Sequence, residues 1–189
     1  MKLRLTNKPD LAEKIIFLDR DGVLNEDSPN YILSPAQWHP IREAMIAVSA
    51  LKKKGFKIFI ISNQSAIGRE MLTFEQLKKI ETKMLLEVEK YGGAVDDIFY
   101  CFHKPDEGCN CRKPKSGLIH QAMRKWNISN IKNIPLVGDK KSDMDLALSV
   151  DAYPVYISND LYSLPEEKPY SEILTFKNLY ELILHWGIA

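Results

Sequence analysis

An apolar run that stops at two carboxylates, Ile15-Ile16-Phe17-Leu18-Asp19-Arg20-Asp21-Gly22, is the strongest structural signal in the chain. Four apolar residues without alternation are typical of a strand buried on both faces, and the polar residues after them predict a turn. The segment Lys57 to Ile61 shows a similar pattern and stops at Ser62-Asn63-Gln64-Ser65. Both segments are therefore expected to be interior strands of a sheet.

The rest of the chain alternates between strand and helix patterns. Strand patterns cover 98–101, 134–137 and 153–157, and helical patterns cover 41–54, 73–91, 118–126, 144–150 and 179–186. Gly55 is expected to end the first helix, and Thr73 with Gln76 predicts a capping box that begins the second. Residues 27–40, with three prolines, are expected to form a loop. This alternation predicts an α/β fold, a three-layer Rossmann-like parallel sheet with helices on both faces.

The length and charge of the chain limit its organisation and its partners. With 189 residues, 45% of them hydrophobic, we expect a single domain over residues 1–189 and no large cap domain. Residues 1–13 are expected to form an N-terminal extension, and residues 160–189 a loop and a closing helix. Because 26 Lys and Arg residues face 25 Asp and Glu residues, the net charge of +1 predicts neither a nucleic acid nor a membrane as partner.

The beginning of the chain and its cysteines bear on the cellular compartment. Charged residues interrupt residues 1–18, and the longest apolar runs fall far short of the ~18 residues of a membrane helix, so neither a signal peptide nor a membrane span is predicted. Three cysteines, an odd number, are typical of reduced thiols rather than of a disulfide framework. We therefore expect a cytoplasmic protein.

Polar clusters follow four of the predicted strands. They are Asp19-Arg20-Asp21, Ser62-Asn63-Gln64, the segment from Cys101 to Lys113, and Gly138-Asp139-Lys140. Because ligands of parallel sheets bind beyond the carboxyl ends of the strands, the four clusters are expected to form one site. Carboxylate oxygens suit a hard cation such as Mg²⁺, and the lysines near them fit phosphoryl transfer, in which charge on the phosphoryl oxygens is neutralised.

The third cluster also contains all three cysteines and a histidine within eleven residues. The four side chains are those of Cys101, His103, Cys109 and Cys111. Three thiolates and an imidazole match the ligand set of a tetrahedral structural zinc site. We expect zinc to restrict the loop of residues 101–111, to hold Arg112 and Lys113 toward the site, and to take no part in the chemistry.

Taken in order, the motifs resemble those of the haloacid dehalogenase superfamily. They are Asp19-Arg20-Asp21-Gly22-Val23-Leu24-Asn25, Ser62-Asn63-Gln64-Ser65, Cys101-Phe102-His103 with Cys109-Asn110-Cys111-Arg112-Lys113-Pro114, and Gly138-Asp139-Lys140-Lys141-Ser142-Asp143. More narrowly, the chain is similar to the zinc-containing branch that holds the D-glycero-D-manno-heptose 1,7-bisphosphate phosphatases and the histidinol-phosphatases. The likeness runs from about Ile15 to Ile157.

The resemblance implies a phosphatase with a role for each motif residue. Asp19 would be the nucleophile that forms an aspartyl-phosphate, and Asp21 would protonate the leaving oxygen and then deprotonate the attacking water. Ser62 and Asn63 would donate hydrogen bonds to the transferring phosphoryl group, and Lys113 would neutralise its charge.

The resemblance also implies how the metal is held. Mg²⁺ would bind the side chains of Asp19 and Asp139 and the backbone carbonyl of Asp21. Asp143 would orient these ligands without binding the ion itself.

Substrate contacts are expected from the short segments that border the site. The candidates are Asp27, Ser28, Asn30, Asn63, Gln64, Ser65, Arg69, Arg112 and Lys140. A second phosphate on the substrate would need a cation away from the metal, which Arg112 or Lys140 would supply. A histidinol substrate would instead need an acceptor for its ammonium group, for which Asp106 and Glu107 are candidates.

Two segments disagree about the substrate. Residues 27–38 are more like the heptose bisphosphate phosphatases, whereas the five residues between His103 and Cys109 form a loop of a length also seen in histidinol-phosphatases. We give the first segment more weight because it would contact the sugar. The resemblance thus favours a monomer that removes the 7-phosphate of D-glycero-D-manno-heptose 1,7-bisphosphate, a small phosphorylated sugar, in ADP-heptose and lipopolysaccharide-core precursor synthesis. Histidinol-phosphate phosphatase and nucleic-acid 3′-phosphatase are the alternatives.

One segment departs from the family pattern. Where the family usually has Ser-Gly-Ile-Ala-Arg-Gly, this chain has Ser65-Ala66-Ile67-Gly68-Arg69-Glu70. Glu70 would repel a phosphorylated substrate if it faced the site. The departure bears on the identity of the substrate and not on the chemistry.

Overall fold

The computed structural model describes residue 9, residues 11–158 and residues 163–188. Most of the predicted N-terminal extension, and residues 160–162 of the loop that was expected to precede the last helix, lie outside this description. Within the described residues, no helix is both long enough and apolar enough to cross a membrane.

Twelve named strands and helices are found in the described residues. The strands are β1 (Ile15–Leu18), β2 (Lys57–Asn63), β3 (Asp97–Cys101), β4 (Pro135–Gly138), β5 (Tyr153–Ile157) and β6 (Leu174–Phe176). The helices are α1 (Arg42–Lys53), α2 (Ser65–Gly68), α3 (Phe74–Lys90), α4 (Gly117–Trp126), α5 (Lys141–Ser149) and α6 (Leu179–His185). Two short 3₁₀ turns, Pro35–Gln37 and Tyr170–Glu172, lie in the connections.

All six strands form one parallel sheet in the order β3-β2-β1-β4-β5-β6. The chain leaves β1 toward β2 and β3 on one side, and then returns to place β4 on the other side of β1. The connections after β1 and β4 therefore diverge, which opens a crevice beyond the carboxyl ends of these two strands.

Alternate residues of each strand supply two separate cores. Ile16 and Leu18 of β1 pack on one face of the sheet with α1, α3 and α6, whereas Ile15 and Phe17 pack on the other face with α4 and α5. Side chains of successive strand residues point to opposite faces, so a four-residue apolar run serves both layers. The predicted three-layer architecture is confirmed.

Local sequence signals mark several helix ends as expected. Thr73 Oγ1 accepts a hydrogen bond from Gln76 N, and the Gln76 side chain accepts one from Thr73 N, which completes the predicted capping box. Gly55 follows α1 with a φ of +83°, a conformation that costs glycine little. The connections 19–41 and 102–116 contain no further named strand or α-helix, so neither of them forms a large cap domain.

Two elements were not predicted. The edge strand β6 has three residues and pairs only with β5, and such a short strand has too little alternation to be recognised in the sequence. The four-residue helix α2 begins at Ser65, the last residue of the polar run that follows the apolar part of β2.

Candidate active site

The crevice between β1 and β4 brings two motif carboxylates together. Asp19 follows β1 and Asp139 follows β4, and the backbone N–H of Asp19 donates to Val137 O on β4 at 2.9 Å. The two residues are 120 positions apart in the sequence and become neighbours because their strands are adjacent.

Asp19, Asp139 and Asp143 form a buried carboxylate cluster. One oxygen of each lies within 4.8 Å of the others, and the exposed fractions are 4%, 0% and 0%. Burial, together with the neighbouring carboxylates of Asp19 and Asp143, raises the pKa of Asp139 to about 8 although Lys140 opposes the shift. Burial likewise raises the pKa of Asp143 to about 6. Carboxylates this close repel one another unless a cation compensates them, so the cluster fits a hard divalent cation.

Lys113 supplies a positive charge to this cluster. Its Nζ lies 2.8 Å from Asp19 Oδ2 and 2.6 Å from Asp143 Oδ1, and it donates a hydrogen bond to Ile61 O at 3.0 Å. Burial alone would lower the pKa of Lys113, but the two carboxylates outweigh burial and raise it. The ammonium group therefore stays charged in the interior, as neutralising a phosphoryl group requires.

A glycine permits the close approach of the first and last motifs. A Cβ atom on Gly22 would lie 2.1 Å from Asp139 Oδ2, and the residue has a φ of +80°. Any other residue here would displace Asp139 from the carboxylate cluster. The glycine that follows the paired aspartates in the sequence thus has a direct steric role at the site.

Asp21 is held by side chains of three other residues. Arg20 Nε and Nη2 donate to its two oxygens at 3.0 and 2.9 Å, Asn25 Nδ2 donates at 2.9 Å, and Gln64 Nε2 donates at 2.9 Å. Burial alone would raise the pKa of Asp21, but the paired Arg20 guanidinium outweighs it and holds the pKa below the usual value. In this arrangement Asp21 is a carboxylate.

A cavity of about 320 Å³ opens in front of Asp19 and Lys113. Of the predicted catalytic and substrate-contact residues, its wall contains Asp19, Asp21, Asp27, Ser28, Ser62, Asn63, Gln64, Ser65, Arg112, Lys113 and Lys140. Lys140 does not present an isolated charge to the cavity, because its Nζ pairs with Asp27 Oδ2 at 2.8 Å. Arg112 Nη1 donates to His103 O at 3.4 Å, so this guanidinium is attached to the cysteine-containing loop.

The structure does not bring Asn30 and Arg69 to the cavity wall, although both were predicted to contact the substrate. Asn30 lies at the exposed tip of a turn in which Tyr31 N donates to Ser28 O. Arg69 follows the C-terminal end of α2, whereas Ser65 at the N-terminal end of that helix faces the cavity. A helix of four residues thus separates the two side chains.

Five further residues line the cavity and were not among the predicted site residues. They are Arg20, Pro29, Tyr31, Ile32 and Ser142. Arg20 and Ser142 lie inside motifs that were recognised in the sequence, so their contribution to the site could have been predicted from these motifs. The other three lie within residues 27–38, the segment that was expected as a whole to contact the sugar, although they were not named individually.

The altered segment Ser65 to Glu70 keeps its negative charge outside the cavity. Glu70 is exposed, is absent from the wall, and has a φ of +60°, the left-handed conformation that favours the glycine usual at this position. Gly68 N donates to Phe102 O at 3.1 Å, and a Cβ atom on Gly68 would lie 2.4 Å from that oxygen. The segment therefore packs closely against the cysteine-containing loop.

The side chains of the four predicted zinc ligands lie close together. Their spacing in the sequence did not by itself require this. The Sγ atoms of Cys101, Cys109 and Cys111 lie 3.2 to 3.7 Å apart, and His103 Nδ1 lies 3.3 Å from Cys111 Sγ and 3.6 Å from Cys101 Sγ. Tetrahedral Zn–S bonds of about 2.3 Å would place sulfur atoms about 3.8 Å apart. The donor set and its dimensions therefore fit zinc.

Comparisons with known proteins agree with this geometry. A profile of the family described as polynucleotide kinase 3 phosphatase matches residues 14–152. A Pseudomonas putida protein named D-glycero-beta-D-manno-heptose-1,7-bisphosphate 7-phosphatase is 39% identical over 144 residues, which cover 76% of this chain and 82% of that protein. A Helicobacter pylori protein of the same name is 35% identical over 177 residues, 91% of this chain and 96% of the relative.

A solved structure shows the same fold. It is the D,D-heptose 1.7-bisphosphate phosphatase of B. bronchiseptica complexed with magnesium and phosphate, with a TM-score of 0.84, 30% identity, and coverage of 91% of this chain and 98% of that one. The profile match, the relatives and the shared fold establish that this chain belongs to the polynucleotide kinase 3 phosphatase family of the haloacid dehalogenase superfamily and is a phosphatase.

Proposed function

We propose that the chain is a Mg²⁺-dependent phosphomonoester hydrolase in which Asp19 attacks phosphorus and becomes an aspartyl-phosphate. The contact that carries this proposal is the pair between Asp19 and the buried ammonium of Lys113 at the end of the cavity. The cation orients the carboxylate and compensates the negative charge that the phosphoryl group brings. Ser62, also in the wall, donates a hydrogen bond to the same group.

Asp21 is proposed as the general acid and base. It gives a proton to the leaving oxygen and takes one from the water that hydrolyses the aspartyl-phosphate. The Arg20 guanidinium favours the carboxylate form in the free protein. A phosphate dianion entering beside Asp21 favours the protonated form, so substrate binding and proton uptake are coupled in this proposal.

The residues proposed to hold Mg²⁺ are Asp19 and Asp139 through their side chains and Asp21 through its backbone carbonyl. Asp143 positions this set because it pairs with Lys113 and accepts a hydrogen bond from Lys140 N at 3.1 Å. When bound, Mg²⁺ neutralises charge on the phosphoryl oxygens. Zn²⁺ is proposed as a structural ion of the cysteine-containing loop, where its removal would free Arg112.

The proposed substrate is D-glycero-D-manno-heptose 1,7-bisphosphate, from which the 7-phosphate is removed for ADP-heptose and lipopolysaccharide-core precursors. The names of the relatives support this choice. Asp106 and Glu107, the candidate acceptors for histidinol, are exposed and absent from the cavity wall, so they do not support the alternative. The family description names a polynucleotide phosphatase, but the net charge of +1 does not favour a nucleic acid.

We further propose that residues 1–189 form a single phosphatase domain that acts as a cytoplasmic monomer, without a nucleic-acid or membrane partner. The three thiols are free to bind a metal, and they would remain so in a reducing compartment.

Phosphate release from heptose 1,7-bisphosphate and from histidinol phosphate tests this proposal, with purified protein, Mg²⁺ and the Asp19→Asn variant as the blank. We expect a preference of several hundredfold for the heptose and a loss of about 10⁴-fold or more in the variant, because it lacks the nucleophile. Preference for histidinol phosphate would overturn the substrate. Retained turnover in Asp19→Asn would overturn the mechanism.

A further inference from the structure

The side chain of Asn63 binds both backbone groups of Lys113. Asn63 Oδ1 accepts a hydrogen bond from Lys113 N at 3.0 Å, and Asn63 Nδ2 donates one to Lys113 O at 3.2 Å. An N–H can only donate and a carbonyl can only accept, so this pairing uses both ends of the amide. The two residues are 50 positions apart, and the contact therefore links β2 to the segment that follows the cysteine-containing loop.

The same strand also holds the other end of Lys113. The ammonium donates to Ile61 O at 3.0 Å, two residues before Asn63 on β2, and pairs with Asp19 at 2.8 Å. Only 2% of the side chain is exposed. Lys113 is thus hydrogen-bonded to β2 through both its backbone and its ammonium group. These two contacts together determine the position of the ammonium group.

The cysteine-containing loop does not itself attach Lys113 to β2. Its four candidate ligands lie between Cys101 and Cys111, so a bound ion would close the loop upon itself and upon the end of β3. Two backbone bonds, from Gln64 N to Cys101 O and from Gly68 N to Phe102 O, hold the beginning of this loop to the segment after β2. Lys113, which follows the loop, is held by Asn63.

We infer that Asn63 is a positioning residue that fixes the ammonium of Lys113 against Asp19, a role distinct from the phosphoryl contact first expected of it. The inference rests on the proposed phosphatase function. A displacement of about 1 Å at a catalytic group costs up to about 100-fold in rate. Loss of the two backbone bonds in Asn63→Ala is therefore expected to lower kcat by about 10- to 100-fold, with a smaller change in KM.

A double-variant cycle separates this role from direct contact with phosphate. The measured quantity is the Kd of inorganic phosphate in the presence of Mg²⁺, for the wild-type protein, Asn63→Ala, Lys113→Met and the double variant. We expect each single variant to weaken binding about tenfold, and the double variant to bind no more than about twofold more weakly than Lys113→Met. If the increase in Kd of the double variant equalled the product of the increases in the two single variants, the inference would be overturned. An unchanged Kd in Asn63→Ala would overturn it as well.

Asn178→Ala is the matched control. Asn178 also binds a backbone N–H through Oδ1, that of Glu181 at 3.0 Å, but it begins α6 outside the cavity wall. We expect its phosphate affinity to equal that of the wild type, and a parallel loss would overturn the inference by showing general destabilisation. If Asn63→Ala is not recovered folded, Asn63→Ser, which removes the amide without adding a charge, takes its place in the cycle.

The two proposals fail in different ways. Wild-type protein that releases no phosphate from any ester contradicts the function, while the phosphate-binding cycle still reports on Asn63. Active wild type with an unaffected Asn63→Ala variant contradicts the positioning role alone.

Discussion

Two neighbouring regions of the molecule become rigid in different ways. One is the carboxylate cluster together with Lys113, and the other is the cysteine-containing loop. Asp19, Asp139 and Lys113 are at most 4% exposed and attach to the ends of strands in the middle of the sheet. In the loop, His103 is exposed and Cys109 only partly buried. Buried charges must be paired by the fold itself, whereas a partly exposed loop without regular secondary structure gains rigidity from an added crosslink.

The difference has a consequence for function. Lys113, the group proposed to neutralise the phosphoryl charge, belongs to the part of the molecule that the fold already holds, and the peripheral cation, Arg112, directly follows the cysteine-containing loop. Disturbing the first part should affect chemistry and folding, and disturbing the second should affect binding.

Asp21→Asn breaks the chemistry of the buried region with a small change in shape. We expect turnover to fall by about 10² to 10⁴, the usual contribution of general acid and base catalysis, when phosphate release is followed at saturating substrate. Asp96→Asn is the control, since Asp96 pairs with Lys52 at 2.7 Å outside the cavity wall. Near-normal turnover of Asp21→Asn would remove Asp21 from its proposed role.

Replacing two lysines compares the stability of the two regions directly. Lys113→Met leaves the buried carboxylates without their cation, and we expect it to lower the free energy of unfolding by about 3–5 kcal/mol in metal-free urea titrations. The exposed Lys115 donates to Gly108 O at 3.1 Å and Cys109 O at 2.7 Å, and Lys115→Met should cost about 0.5–1.5 kcal/mol. Equal losses would show that burial does not distinguish the two sites.

Removal of the proposed zinc ion is expected to disturb only the cysteine-containing loop. We expect KM to rise by about 10- to 100-fold, the worth of a hydrogen bond to a charged group supplied by Arg112, with a smaller change in kcat because Lys113 remains attached to β2. Metal content by atomic absorption accompanies the kinetics. An unchanged KM after verified zinc loss would contradict the proposed role of the loop.

Glu70→Gly tests the segment from Ser65 to Glu70, which packs against the cysteine-containing loop. Because Glu70 has a φ of +60°, glycine should remove backbone strain and raise the free energy of unfolding by up to about 1 kcal/mol. Turnover and KM should stay within about twofold of the wild type, since Glu70 is absent from the cavity wall. A large fall in KM would show instead that Glu70 repels the substrate.

Much of the fold follows from patterns that are local in the sequence. Fully apolar runs at β1 and β2, the capping box at Thr73, and the glycine after α1 each act over a few residues, and the structure contains all of them. The short edge strand β6 escaped prediction because its pairing with β5, and not its own composition, makes it a strand.

By itself, the sequence determined which chemical groups stand at the ends of the strands, because each apolar run ends within two residues of the end of its strand. It also determined that three thiols and an imidazole lie close enough along the chain to share an ion. Only the tertiary structure decided how these groups are paired: Arg20 with Asp21, Lys140 with Asp27, and Asn63 with the backbone of Lys113. Several polar partners compete for each buried charge, and packing selects the one that lies within hydrogen-bond distance.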